Sequence, residues 1–400
     1  MREYKTPHFI IKKNLQKSNK TGVYFSDVVT PDILRDVCYR ITGQTDYKCQ
    51  YVDNAYQDDF LEATYNKGRL AIMKFHRKVF YISFSETNIG GRDSSIQSVP
   101  TAFNMYYSNP YPDKELCYYF LPHTGNAETA YHSLIYRLME TTGFRFLNPE
   151  TTLSSAVVPF VSVNDIMLSR DVNSGRNRAN NSSYVTKASA NNIEIYGKTY
   201  GANKYVTSLM SYAISMLAQP QEVITLFEVS EGNLSELPCS SLTVLEKMGN
   251  VQVCCTDLTL EKRIFDSNDN LRSPIYTFNL LGRLGTKKCA LCGCEIPEII
   301  QGAHAWPVSS IKRETLMSYD EKLKHALSGD NGMWLCENHH KLFDSGIIKF
   351  DENGKVAYRN HLEQKHIAFL DSITTLDALP DFYMSDLFVQ YLRLGNRIAV

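Results

Sequence analysis

The chain has 400 residues, a net charge of −1, 43% hydrophobic and 21% charged residues. That length predicts two or three domains with ample core, and the near-zero charge excludes an overall basic field that would draw the protein to nucleic acid, so any such contact must come from local clusters. The first residues, M-R-E-Y-K-T-P-H-F-I-I-K-K, lack an apolar signal core, and no apolar run reaches about 18 residues, so a soluble, unexported protein is expected.

In chain order, the first twenty residues carry Arg2, Lys5, Lys12, Lys13, Lys17 and Lys20 against Glu3 alone. They read either as a solvated, partly disordered terminus or as a basic arm that tracks phosphates. Thr30 and Pro31 open a helix as N-cap and first-turn proline, Leu34, Val37, Cys38 and Ile41 form its apolar stripe, and Gly43 closes it. Residues 69–86 predict a strand hairpin turning at His76-Arg77-Lys78. Residues 90–95 form a polar loop, 117–121 another strand, and 128–142 a helix closed by Gly143. The 25 tyrosines could stack on bases, but they suit half-buried strands, and most are read as structural.

Residues 169–192 contain almost no core-forming side chains and carry Arg170, Arg176, Arg178 and Lys187 among asparagines and serines. The stretch is either a flexible surface loop or a groove-reading loop, because arginine pairs with guanine and asparagine with adenine. From residue 193 the pattern alternates: strand 193–196, a helical face of Val206, Leu209, Met210, Ala213 and Leu217, strand 223–229, helix 242–248 and strand 251–257. Glu194 and Lys198 share a face of the first of these strands, spaced E-x-x-x-K rather than the E-x-K of PD-(D/E)-x-K nucleases. Residues 266–283, with their N-D-N and S-P signals, read as a linker.

The last part carries the densest chemistry. Cys289 and Cys292 form a C-x-x-C pair, and Cys336 and His339 a C-x-x-H pair. Two such pairs supply the thiolate and imidazole set that zinc prefers, which makes Zn2+ the expected structural ion. Cys294 is a spare thiol beside them, and the ten scattered cysteines read as reduced. Between the pairs lies G-A-H-A-W-P (Gly302 to Pro307), and around the second lies D-N-G-M-W-L-C-E-N-H-H-K-L-F-D-S-G (Asp330 to Gly346). A helix is expected over 337–344 with Gly346 as its stop, then a hairpin around D-E-N-G.

These motifs, in this order and spacing, resemble the HNH or ββα-metal endonucleases, over about seventy of the 400 residues. The resemblance implies that His304 is the general base, Asn331 the middle asparagine and His340 the last histidine, with Mg2+ or another divalent metal at the catalytic centre. Many members carry an acidic metal ligand just before the base, where this chain has Ala303. Asp344, four residues after His340 on the same helical face, is the candidate replacement beside His340.

The expected fold is therefore α+β: an N-terminal mixed α/β DNA-recognition region (1–150 and 151–280) followed by a zinc-stabilised ββα-metal module (281–400). The resemblance implies a metal-dependent endonuclease acting on double-stranded DNA, of the type II restriction kind, in a bacterial cytoplasm. A homodimer would match a palindromic site, and a companion DNA methyltransferase would protect the same site. A modification-dependent or nicking enzyme, and a zinc-stabilised DNA-binding module that does not cut, stay open as alternatives.

Overall fold

The N-terminal charge count hides an alternation. Phe9 and Ile11 point into a core with 0% and 1% exposure, so Tyr4–Lys12 is a strand (β1) and not a disordered arm. The computed structural model describes residues 3–12, 28–52, 70–87, 89, 96–173, 182–201, 203–230, 237–249, 251–256, 258–267 and 273–399. Arg2, Lys13, Lys17, Lys20 and the loop at 90–95 lie outside them.

Thr30 accepts a hydrogen bond from the Ile33 N–H, and Gly43 takes φ 73°, so α1 (Pro31–Thr42) starts and stops where its sequence signals lie. Its Leu34, Val37 and Cys38 pack on Phe9, Ile11, Ala71 and Met73. The chain continues through β2 (Lys48–Val52), the hairpin β3 (Leu70–His76) and β4 (Lys78–Phe84), α2 (Val99–Ser108), β5 (Lys114–Tyr119), α3 (Ala130–Thr141) and β6 (Phe144–Phe146). The six strands form one mixed sheet in the order β2-β1-β3-β4-β5-β6.

Beyond it follow α4 (Val163–Asn173), β7 (Ser183–Ser189), β8 (Asn192–Lys198), α5 (Asn203–Leu217), β9 (Val223–Val229), α6 (Cys239–Met248), β10 (Val251–Thr256) and α7 (Leu258–Ser267). The chain is shared between two compact units that interleave in sequence. One holds Met1–Val163, Thr199–Ala218 and Ser235–Val251; the other holds Asn164–Lys198, Gln219–Leu234 and Gln252–Val400. Within the first, a buried polar knot joins three helices: Asn104 donates to Ser240 and Ser241 at 3.1 Å each and accepts from the Tyr212 hydroxyl at 2.7 Å.

The second unit contains a four-stranded sheet in the order β10-β9-β8-β7, with β7 antiparallel and β9 parallel to β8. The polar loop expected over 169–192 gives way to regular structure on both sides of residues 174–181, which lie outside the described residues. Ser183 to Thr186 are buried in β7, which closes a hairpin with β8, and α4 extends to Asn173. Serine and threonine hid a strand that pairs with β8 and buries Tyr184 and Val185. Of the linker expected over 266–283, residues 268–272 lie outside the described residues, and the part after them is a helix: Ser273 caps α8 (Pro274–Leu284), with Tyr276, Leu280, Leu281 and Arg283 buried, the first three in a hydrophobic core.

That core surrounds β11 (Ile300–His304), α9 (Val308–Arg313), α10 (Tyr319–Leu327), β12 (Gly332–Cys336) and α11 (Glu337–Asp344). β11 and β12 pair antiparallel with His304 opposite Gly332, and α11 follows at once, which is a ββα arrangement. The hairpin β13 (Ile348–Phe350) and β14 (Val356–Tyr358), α12 (Gln364–Ile373) and α13 (Asp386–Leu394) complete it. The α+β class read from the sequence is the class observed. No helix among the described residues is long and apolar enough to cross a membrane.

Candidate metal centre and adjoining cleft

The metal centre starts from two turns. Gly293 adopts φ 66° and donates to Cys289 O at 2.9 Å, folding the C-x-x-C pair back on itself. Cys336 ends β12 as the N-cap of α11, so His339 turns inward one helical turn later. The donor atoms of Cys289, Cys292, Cys336 and His339 all lie within 4.8 Å of one another. Tetrahedral zinc, with Zn–S of about 2.3 Å and Zn–N of about 2.0 Å, requires S–S edges of about 3.8 Å and S–N edges of about 3.5 Å. The observed Cys292–Cys336 separation is 3.9 Å, and His339 Nδ1 lies 3.5 Å from Cys289 Sγ and 3.1 Å from Cys336 Sγ. The donor set therefore fits zinc. Thr374 lies 3.2 Å from His339 Nε2, and its hydroxyl can accept that N–H, leaving Nδ1 to face the thiols. Burial pushes the thiols of Cys289, Cys292 and Cys336 upward, so filling the site with a cation must displace protons. Cys294 is not in the cluster; its carbonyl accepts from the Cys289 N–H at 2.9 Å.

On the other side of α11 lies a cleft of about 680 Å³ whose walls include His304, Arg313, His340, Lys341, Asp344 and Arg397. His304 sits at the end of β11. Its Nε2 is 3.0 Å from Ala326 O, and a carbonyl can only accept, so Nε2 carries the proton and Nδ1 keeps its lone pair. Burial chiefly, against the Ala326 hydrogen bond, pushes His304 down to about 4, so the ring is neutral near pH 7. The ring lies parallel to Tyr276 at 4.1 Å. There is room for Tyr276 because β11 and β12 carry glycines: a Cβ at Gly332 would come within 2.1 Å of the Tyr276 hydroxyl, and one at Gly302 within 2.6 Å of Leu280.

Asn331 is 0% exposed. Its Oδ1 accepts from Trp306 N at 2.7 Å, and its Nδ2 donates to Trp306 O at 3.1 Å and His325 O at 3.2 Å. It therefore pins the turn after His304 and does not face the cleft. Asp330 also points elsewhere, paired with Arg283 Nε at 3.0 Å.

His340 Nε2 lies 3.4 Å from Asp344 Oδ2, and His340 Nδ1 lies 3.2 Å from Gln301 Oε1. The Gln301 amide nitrogen donates to Glu337 at 3.4 Å, which turns its oxygen toward His340. As an imidazolium, His340 donates to both acceptors; as a neutral ring with its proton on Nδ1, it offers Nε2 beside the Asp344 carboxylate, one nitrogen and one oxygen donor of the kind that suits a divalent ion.

Residues 289–351 match the HNH_2 family model, an HNH endonuclease. An HNH domain of this kind supports a nuclease function and works with a divalent metal. Comparison with curated proteins finds no match to the chain.

Of the residues expected to contact DNA, Arg170 and Lys187 are among those described. Arg170 is 5% exposed on α4, donates to Ser183 O at 2.6 Å and lies over the Tyr184 ring. Lys187 lies on β7 and pairs with Glu222 at 3.3 Å. Arg176 and Arg178 lie outside the described residues. Glu194 is held by Lys287 at 3.3 Å and by the Tyr196 hydroxyl at 3.0 Å, while Lys198 lies over the Phe278 ring. Tyr276, Gln301 and Arg397 are site residues that motif reading passes over. Only the glycines inside β11 and β12 signalled the first, since glycine in a strand marks a close approach.

Proposed function

We propose that this chain is a metal-dependent DNA endonuclease that cuts both strands at a specific sequence, as a type II restriction enzyme does. One observation carries the reading: His304, His340 and Asp344 line a single cleft, with His304 Nδ1 unprotonated. His304 takes a proton from water at Nδ1; the water oxygen bonds to phosphorus as the bond to the 3′-oxygen breaks. His340 Nε2 and Asp344 would hold the divalent ion, Mg2+ or another, with Asp344 replacing the acid that Ala303 cannot provide. Bound there, such an ion supplies positive charge for the phosphate and the leaving oxygen. Asn331 acts through the backbone, as a positioning residue for His304. Cys289, Cys292, Cys336 and His339 hold a structural zinc.

In this reading the region before about residue 280 recognises double-stranded DNA, Arg176, Arg178 and Lys187 being candidates for contact. A homodimer cuts the two strands of a palindrome, and a companion methyltransferase protects the host site. The test is incubation of the purified protein, with Mg2+ or Mn2+, with unmethylated and methylated phage DNA, followed by sequencing of the ends. Discrete double-strand cuts on unmethylated DNA are expected. Cuts only on methylated DNA, or single-strand nicks, would replace restriction by a modification-dependent or nicking activity. No cutting with tight binding would leave a zinc-stabilised DNA-binding module.

A further inference from the structure

We propose that the C-terminal tail, beyond the stretch that matches the HNH family, is a working part of the cleft, with Arg397 as the residue that positions Asp344. The proposal rests on the reading of His340 and Asp344 as the ion-holding pair.

Two sets of contacts tie the tail to the cleft. On the side of the base, Gly395 packs against the backbone just after His304: a Cβ there would come within 2.0 Å of Ala305 O and 3.2 Å of Trp306 Cα. On the side of the ion pair, the tail runs beside β13, with Phe350 N donating to Arg397 O at 3.0 Å and Ala399 N donating to Phe350 O at 2.7 Å. Arg397 is thereby carried under the end of α11, where it is 8% exposed. Its Nη1 donates to Phe343 O at 2.5 Å and to Asp344 O at 3.2 Å, and its Nη2 lies 3.8 Å from Asp344 Oδ1. The guanidinium also lies over the Phe343 ring.

The two functions of this arginine are separable. Capping the last carbonyls of α11 stabilises the helix, as any cation at a C-terminus does. Attracting Oδ1 does something more specific: it leaves Oδ2 turned toward His340 Nε2 at 3.4 Å. A carboxylate on a helix end otherwise samples several rotamers, and only some face His340. Partners that orient a metal ligand from behind typically change metal affinity by about 10–100-fold when removed. A helix cap alone would not.

The experiment measures Mn2+ binding to the full-length, zinc-loaded protein by the loss of the free-ion electron paramagnetic resonance signal, so it does not depend on cleavage. Parent, Arg397→Ala, Arg397→Lys and Asp344→Asn are compared, with zinc content and thermal melting recorded for each. Arg397→Ala should keep its zinc and bind Mn2+ about tenfold more weakly. Arg397→Lys, which keeps the charge but cannot fork between backbone and carboxylate, should fall between Ala and parent. Parental affinity in Arg397→Ala overturns the proposal, and tighter binding overturns it too, because the arginine would then only repel the ion. If Arg397→Ala loses its zinc, the lysine variant decides: weaker binding supports the positioning role and parental affinity sinks it. Asp344→Asn separates the two levels. If it binds Mn2+ like the parent, the ion-holding pair itself is wrong; if it weakens and the Arg397 variants do not, the positioning role alone is wrong.

Discussion

His339 and His340 are neighbours on α11, yet one is 1% exposed against three cysteines and the other lines an open cleft opposite Asp344. The first region gathers all its donors from inside the fold and leaves no place for a further ligand. The second offers a histidine and a carboxylate and keeps the rest of its space open. Closed sets of sulfur and nitrogen hold folds together, whereas open sites admit substrate and water. The helical rotation of about 100° per residue is what lets adjacent histidines serve both.

The comparison breaks most visibly at the closed site. Cys289→Ser or Cys336→Ser should lose the zinc, unfold the ββα part and abolish cleavage, because zinc binding contributes about 10–16 kcal/mol in small peptides, comparable to the total stability of a domain. Folded, active protein without zinc by elemental analysis would remove the structural role. At the open site the effects should be smaller and confined to chemistry. His304→Ala should keep fold and zinc and cut at least about a hundredfold more slowly; parental rates would end the proposed mechanism. Asp344→Asn should need severalfold more divalent metal, with rescue as the concentration rises. Normal cutting at low metal would take Asp344 out of the site.

Acid sharpens the contrast without a substitution. Burial holds His304 at about 4, against about 6.5 for an unfolded imidazole. As pH falls the unfolded chain binds this proton first, so the contribution of His304 to stability is full above about 6.5 and is lost as pH drops through about 4. An imidazole resonance for His304 that titrates near 6.5 would contradict that burial. A further effect belongs to Lys187→Ala, which removes a partner of the buried Glu222 and should cost about 1–3 kcal/mol of stability. A severalfold loss of DNA affinity in that variant would support its place on the recognition surface, and parental affinity would remove it.

How much of this was legible in the sequence depends on the range over which each feature is encoded. The zinc ligands come as two short-spaced pairs, and α1 and α11 carry their own stop signals, so all could be read locally. β1 and β7 could not, because lysines masked one and serines and threonines the other; each is decided by the strands it pairs with. Tyr276 stacks on His304 from 28 residues before it, and Arg397 lines the cleft from 53 residues after Asp344. Nothing in the local pattern announces such contacts. Of the linker signals, S-P marks the cap at Ser273 and the first turn of α8, a helix that is part of the core.

Asn331 gives the protein a way to age. Its side chain accepts from one backbone N–H and donates to two carbonyls, so exchanging its nitrogen for oxygen would set a negative oxygen against Trp306 O and His325 O. Burying a charge against acceptors is among the costlier changes a core can suffer. The residue that follows is Gly332, and asparagine before glycine is the pair that loses its amide most readily through a cyclic imide. While the protein is folded, those three hydrogen bonds hold the amide away from that reaction. Each excursion to the unfolded state exposes it, and a chain that has lost the amide cannot rebuild the turn beside His304. Stored or heated samples should therefore lose activity irreversibly, with peptide mapping placing aspartate or isoaspartate at position 331 in the inactive fraction; an intact amide there would refute this.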